Sequence, residues 1–125
     1  MSDLAPHPDL AARPPLSAES TLMEQWAAVE DSARVVAMLA GRPAPRQDDA
    51  SDARIAQLAR GPSNRSRDAV QALGELVATM RVGLDALLGA YVSAGDPQVA
   101  ASRLWNEYER GRAKVLSEVA TALTD

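Results

Sequence analysis

Apolar residues recur along most of this chain at intervals of three and four. Leu22, Trp26, Val29, Ala33, Val36 and Ala40 form one such stripe, the pattern of a helix with a single buried face. Thr21 and Glu24 have the spacing of a capping box at its start, and Gly41 with Pro43 and Pro45 ends it, predicting a first helix over about residues 20–40. A shorter helix is expected over about 49–60, begun by Asp48, Asp49 and Asp52, carrying Ile55, Leu58 and Ala59, and stopped by Gly61-Pro62. The most regular stripe follows: Val70, Leu73, Val77, Met80, Leu84, Leu87 and Tyr91, spaced three, four, three, four, three, four, predict a third helix over about 66–94. Gly95 closes it, and Asp96-Pro97 supplies an N-cap and a first-turn proline for a fourth helix over about 97–123.

So short a connection makes the last two helices an antiparallel hairpin, and positions equidistant from the turn should then meet. Tyr91 falls opposite Ala101, Leu87 or Leu88 opposite Trp105, Leu84 opposite Tyr108, Val77 opposite Val115, Leu73 opposite Val119 and Val70 opposite Leu123. Every pair is apolar, so spacing, caps and loop length agree. The register falters at Arg112, which falls opposite Met80. A long basic side chain there either lays its stem on the core and reaches water or Glu109, or sits buried to serve a ligand carboxylate, a phosphate or an acidic partner. The fold class is an all-α, up-and-down bundle of three long helices and one short one. Residues 1–16, with prolines at 6, 8, 14 and 15 and no periodic stripe, read as a flexible arm outside a single helical domain over 17–125.

Composition narrows the function. The chain has 125 residues and no cysteine, so disulfides and thiol-based metal sites are excluded. Its acidic first residues do not resemble a signal peptide, and its most apolar stretch is interrupted by Glu75, Arg81 and Asp85, so a cytoplasmic protein is expected. Twelve arginines to one lysine and 25 alanines suggest a GC-rich, bacterial coding sequence. The net charge of −4 argues against a protein devoted to nucleic acid.

Acid-base and nucleophilic chemistry find few candidates. The one histidine, His7, lies in the arm, and no Glu-x-x-His pair, nucleophile elbow or phosphate loop occurs. Lys114 projects to the polar side of the fourth helix, where Glu118 is its natural partner, while Glu30 with Asp31 and Glu107 with Glu109 read as solvated faces. No enzyme, metal or cofactor is expected.

Two surfaces are left as binding candidates. A second stripe on the third helix, Ala72, Gly83, Ala86 and Ala90 with an outward Val82, could pack within the bundle or form a contact between molecules; Val35 and Met38 add outward apolar residues on the first helix. The other is the only locally basic segment, RIAQLARGPSNRSRDAV, which over about twenty residues resembles a helix-turn-helix module. It departs from that pattern where Gly61 directly follows Arg60 with Pro62 behind it, and where the supposed reading helix is committed to the hairpin. The segment therefore reads as a corner. Its arginines Arg60, Arg65 and Arg67 stand near a helix N-terminus, where the dipole favours acids and where anions bind. The expected function is a small non-catalytic interaction protein that binds a protein partner or itself through apolar helix faces. Nucleic-acid or anion binding at the arginine corner is the alternative, and small-ligand binding near Arg112 comes third.

Overall fold

The computed structural model describes the backbone of residues 18–92 and 96–124, with side chains over 22–89 and 96–124. Four helices make up the fold: α1 (Ala18–Leu39), α2 (Asp49–Ala59), α3 (Arg67–Val92) and α4 (Pro97–Thr124). Glu30 meets Tyr108 while Ala40 meets Gln98, Leu76 meets Gly111 while Gly83 meets Leu104, and Trp26 meets Asp52 while Glu30 and Asp48 share Arg112, so α1 and α4, α3 and α4, and α1 and α2 run in opposite directions. This is the up-and-down, all-α bundle expected from the stripes. α1, α3 and α4 pack on one another, and α2 covers the groove between α1 and α4 without reaching α3.

Helix ends follow local chemistry closely. α1 ends in a Schellman motif: Gly41 adopts φ 70°, its N–H donates to the Met38 carbonyl at 3.1 Å, and the Arg42 N–H donates to Ala37 at 2.8 Å. Asp48 caps α2, accepting from the Ser51 N–H at 3.1 Å and from the Ser51 hydroxyl at 2.7 Å. Asp96 caps α4 through Gln98 N–H at 3.1 Å. One expected cap moves. α1 begins at Ala18, so Thr21 lies inside the helix, because Ala18 and Glu19 continue the helix toward the N-terminus without a breaker. The predicted arm, His7 and Gly95 lie outside the described residues.

The buried arc of α3 is turned from the predicted stripe. Leu73, Met80 and Leu87 are buried as expected, but Val70, Val77 and Leu84 are only partly so, while Ala69, Ala72 and Leu76 join the core. At about 100° per residue this is a rotation of roughly 50°, and it arises because α3 must face α1 and α4 together rather than α4 alone. Glycine makes the close approach possible. A Cβ on Gly83 would overlap the Leu104 side chain of α4, lying 2.6 Å from its Cδ2, and a Cβ on Gly111 of α4 would lie 2.6 Å from Cδ1 of Leu76 on α3. Each helix of the hairpin thus offers the other a glycine gap and fills the other's gap with a leucine.

Gly74, on the same helix as Gly83, has open space at its Cβ position. Gly74→Ala is expected to stabilise the protein by about 0.5–1 kcal/mol through helix propensity. Gly83→Ala gains the same propensity but must displace buried Leu104, and is expected to lose about 1–3 kcal/mol net. Urea denaturation of the two variants tests the packing; equal effects of the two substitutions would contradict it.

Candidate functional site

The densest polar constellation lies where α1, α2 and α4 meet, and Arg112 is its centre. Its Nε donates to Glu30 Oε1 of α1 at 3.3 Å, and its Nη2 donates to Asp48 Oδ2, at the cap of α2, at 3.1 Å. The guanidinium also stands 5.4 Å from the centre of the Trp26 ring. Tyr108, one turn before Arg112, donates its hydroxyl to Glu30 Oε2 at 3.1 Å, so both oxygens of Glu30 are held by α4. Trp26 donates its indole N–H to Asp52 Oδ1 at 2.8 Å, tying α1 to α2 a second time.

Electrostatics follow from this geometry. The Ser51 hydroxyl and N–H, followed by Arg112, pull the Asp48 carboxyl from an ordinary 3.8 to about 2. Burial first, and then the neighbouring Glu30 carboxylate, push the Tyr108 phenol well above its usual range, keeping it a donor. Burial by itself would weaken the charge on Arg112; the hydrogen bond to Asp48 and the adjacent Tyr108 and Glu30 outweigh it and hold the cation above its usual range.

Arg112 is therefore half-buried and directed neither to water nor to Glu109. The acidic groups it serves are Glu30 and Asp48 of its own chain, drawn there because α1 and the start of α2 cover that side of α4. Glu30 is correspondingly no solvated residue: its side chain is 18% exposed. Reading α1 alone missed it because Glu30 sits on the flank of the Trp26–Val29–Ala33 stripe, and only the neighbouring helix reveals that this flank is covered. The signal that could have found it is Arg112 itself, an inward cation that requires a facing carboxylate. Lys114 also departs from expectation, since it reaches Glu75 across the hairpin at 3.3 Å rather than Glu118 along its own helix.

Two cavities flank the cluster. One, of about 350 Å³ between α1 and α2, has Trp26, Met23, Ala27 and Ile55 as apolar wall and Glu30, Asp31, Arg34, Asp48 and Asp52 as polar lining, in which Arg34 pairs with Asp31 and Arg112 with Glu30 and Asp48. The other, of about 420 Å³, opens beside Tyr108 and Arg112 under Pro45, Arg46 and Gln47. Among the described residues no group of three or more His, Cys, Asp or Glu is placed to hold a metal ion, and no helix is long and apolar enough to cross a membrane.

The other sequence-selected residues are distributed as follows. Arg60, Arg65 and Arg67 are exposed at the corner between α2 and α3, and no ion pair engages them among the described residues. Ser66 is buried there with its hydroxyl donating back to the Ser63 carbonyl at 3.0 Å, which fixes the corner as a tight turn. Ala72 is buried and Gly83 faces Leu104, so both contribute to packing inside the bundle. Val82 and Ala86 are exposed, and the Ala90 side chain lies outside the described residues. Comparison with protein-family models, with curated proteins and with solved structures returns no match.

Breaking the cluster has a defined consequence. Arg112→Met leaves Glu30 partly desolvated with Tyr108 as its one donor, and is expected to cost about 1–3 kcal/mol. In Glu30→Gln/Arg112→Met the loss should be smaller than the sum of the single losses by at least ~0.5 kcal/mol. A double-mutant cycle by urea denaturation measures this, and strict additivity would refute the coupling. The pH dependence has a definite sign. Asp48 titrates lower in the folded than in the unfolded chain, so its stabilisation is present above about pH 4 and is lost as pH falls toward about 2. Thermal melts of Asp48→Asn should therefore show a shallower decline over that window than wild type.

Proposed function

We propose that this protein is a small, non-catalytic helical interaction module that binds a protein partner or itself through the outward side of α3. The observation that carries this reading is Val82, a large apolar side chain 70% exposed in the middle of a long helix. Ala78 and Ala86 stand one turn to either side of it, also exposed, so the face is narrow and lets another helix approach closely. α3 packs on α1 and α4 only, and α2 lies on the far side of the bundle, so among the described elements this face is uncovered. Val35 and Met38 near the end of α1, the latter 70% exposed, supply further apolar surface.

A second reading draws on the corner. Arg60, Arg65 and Arg67 gather beside the first turn of α3, where free N–H groups also favour an anion. Asp68 in that same first turn opposes such a ligand, and this places the anion reading second.

Val82→Lys should leave the unfolding midpoint within about 0.5 kcal/mol of wild type while weakening association at least about tenfold. Sedimentation across a dilution series, with affinity capture from the host, reads both modes of association. Undiminished association in the Val82→Lys variant would remove α3 from the interface, and weakening by Arg65→Ala/Arg67→Ala instead would transfer the function to the corner.

A further inference from the structure

We propose that the exposed face of α2 pairs with the same face of a second copy of this chain, antiparallel and about a two-fold axis. Asp49, Ala53, Ala56 and Arg60 follow one another at four-, three- and four-residue steps on the side of α2 opposite the buried Ile55, Leu58 and Ala59, with Gln57 beside them four residues after Ala53. Asp49, Ala53, Gln57 and Arg60 are exposed and Ala56 is half-buried. The face is acidic at its start and basic at its end, where Arg65 and Arg67 extend the positive side. Arg54 lies about 100° round from Ala53 and so stands at its margin.

Arg60 lies eleven positions after Asp49, about 16 Å along the axis. That exceeds the Debye length of about 8 Å at physiological salt, so the two ends do not neutralise one another within one copy. Antiparallel pairing neutralises them between copies. With the axis between residues 54 and 55, Asp49 faces Arg60 of the second copy at both ends, and Ala53 faces Ala56 at the centre. The helix dipole accounts for the sign of charge at each end. Ala53 is exposed and Ala56 half-buried, and such small side chains between the ends are what permits two helix backbones to come close. Because the contacts are exposed ion pairs on one short helix, the dimer is weak and sensitive to salt. The pairing uses neither Val82 nor any other part of α3, so it is separable from the function proposed above.

Sedimentation velocity of the full chain, taken up to about 1 mM at low salt and again at about 0.5 M salt, tests the pairing. Wild type should dimerise at low salt and at least about tenfold more weakly at high salt. Asp49→Arg and Arg60→Asp, each alone, should be monomeric, since each places like charges at both ends of the pair. An equimolar mixture of the two variants should recover the dimer, because in the mixed pair both ends become opposite in charge. Should charge reversal unfold α2 by circular dichroism, Asp49→Asn/Arg60→Gln replaces it and should abolish the salt dependence. A wild type monomeric at the highest concentration, a mixture of folded variants that stays monomeric, or salt dependence that survives neutralisation overturns the proposal. So does a dimer that Val82→Lys abolishes and the α2 variants leave intact.

Discussion

Arg112 fixes how the short helix α2 joins the bundle. Its guanidinium binds Glu30 on α1 and Asp48 at the cap of α2, and Asp48 in turn holds the first turn of α2 through Ser51. One cation on α4 therefore locates two other elements. α2 by itself is too short and too sparsely apolar to hold a unique position: it has eleven residues and buries only Ile55, Leu58, Ala59 and Ser51. The ion pairs, together with the indole bond from Trp26 to Asp52, supply the direction that a small apolar face lacks.

The rest of the bundle is organised by a different constraint, the separation of α3 and α4. Gly83 receives Leu104 and Gly111 receives Leu76, two reciprocal contacts that draw the hairpin helices together and turn the buried arc of α3 toward α1. That turn has an outward consequence. It leaves Val82, Ala78 and Ala86 exposed on the side that α1 and α4 do not cover, and turns Ala78 directly away from the core, while α2 packs on α1 and α4. Four helices of unequal length cannot cover every apolar position, and Val82 stands on α3, the long helix that α2 does not touch, as Met38 does near the end of α1.

The two polar regions of the molecule differ in kind. Around Arg112, cations and carboxylates face each other within hydrogen-bonding distance and are partly withdrawn from water, so they define structure. At the corner, Arg60, Arg65 and Arg67 are exposed in the most basic stretch of an acidic chain. Charges of the first kind set the positions of helices. Those of the second kind shape the field that an approaching molecule meets.

Much of the fold was legible in the residues alone because its signals are local. A stripe at three-four spacing, a glycine that accepts a positive φ at residue 41, and aspartates at 48 and 96 that accept the first free N–H groups act within a few residues of where they occur. The sequence by itself therefore determined the four helices, their approximate ends and the antiparallel hairpin. Tertiary structure decided which flank of each stripe is covered. Glu30 lies beside the stripe of α1 and is indistinguishable there from a solvated acid, until α4 brings Tyr108 and Arg112 against it. Lys114 chose Glu75 over Glu118 for the same reason, and Gly83 became a contact because Leu104 faces it. Periodicity reports a direction around one helix axis, whereas burial and ion pairing depend on how neighbouring axes are rotated and spaced, and only packing sets those.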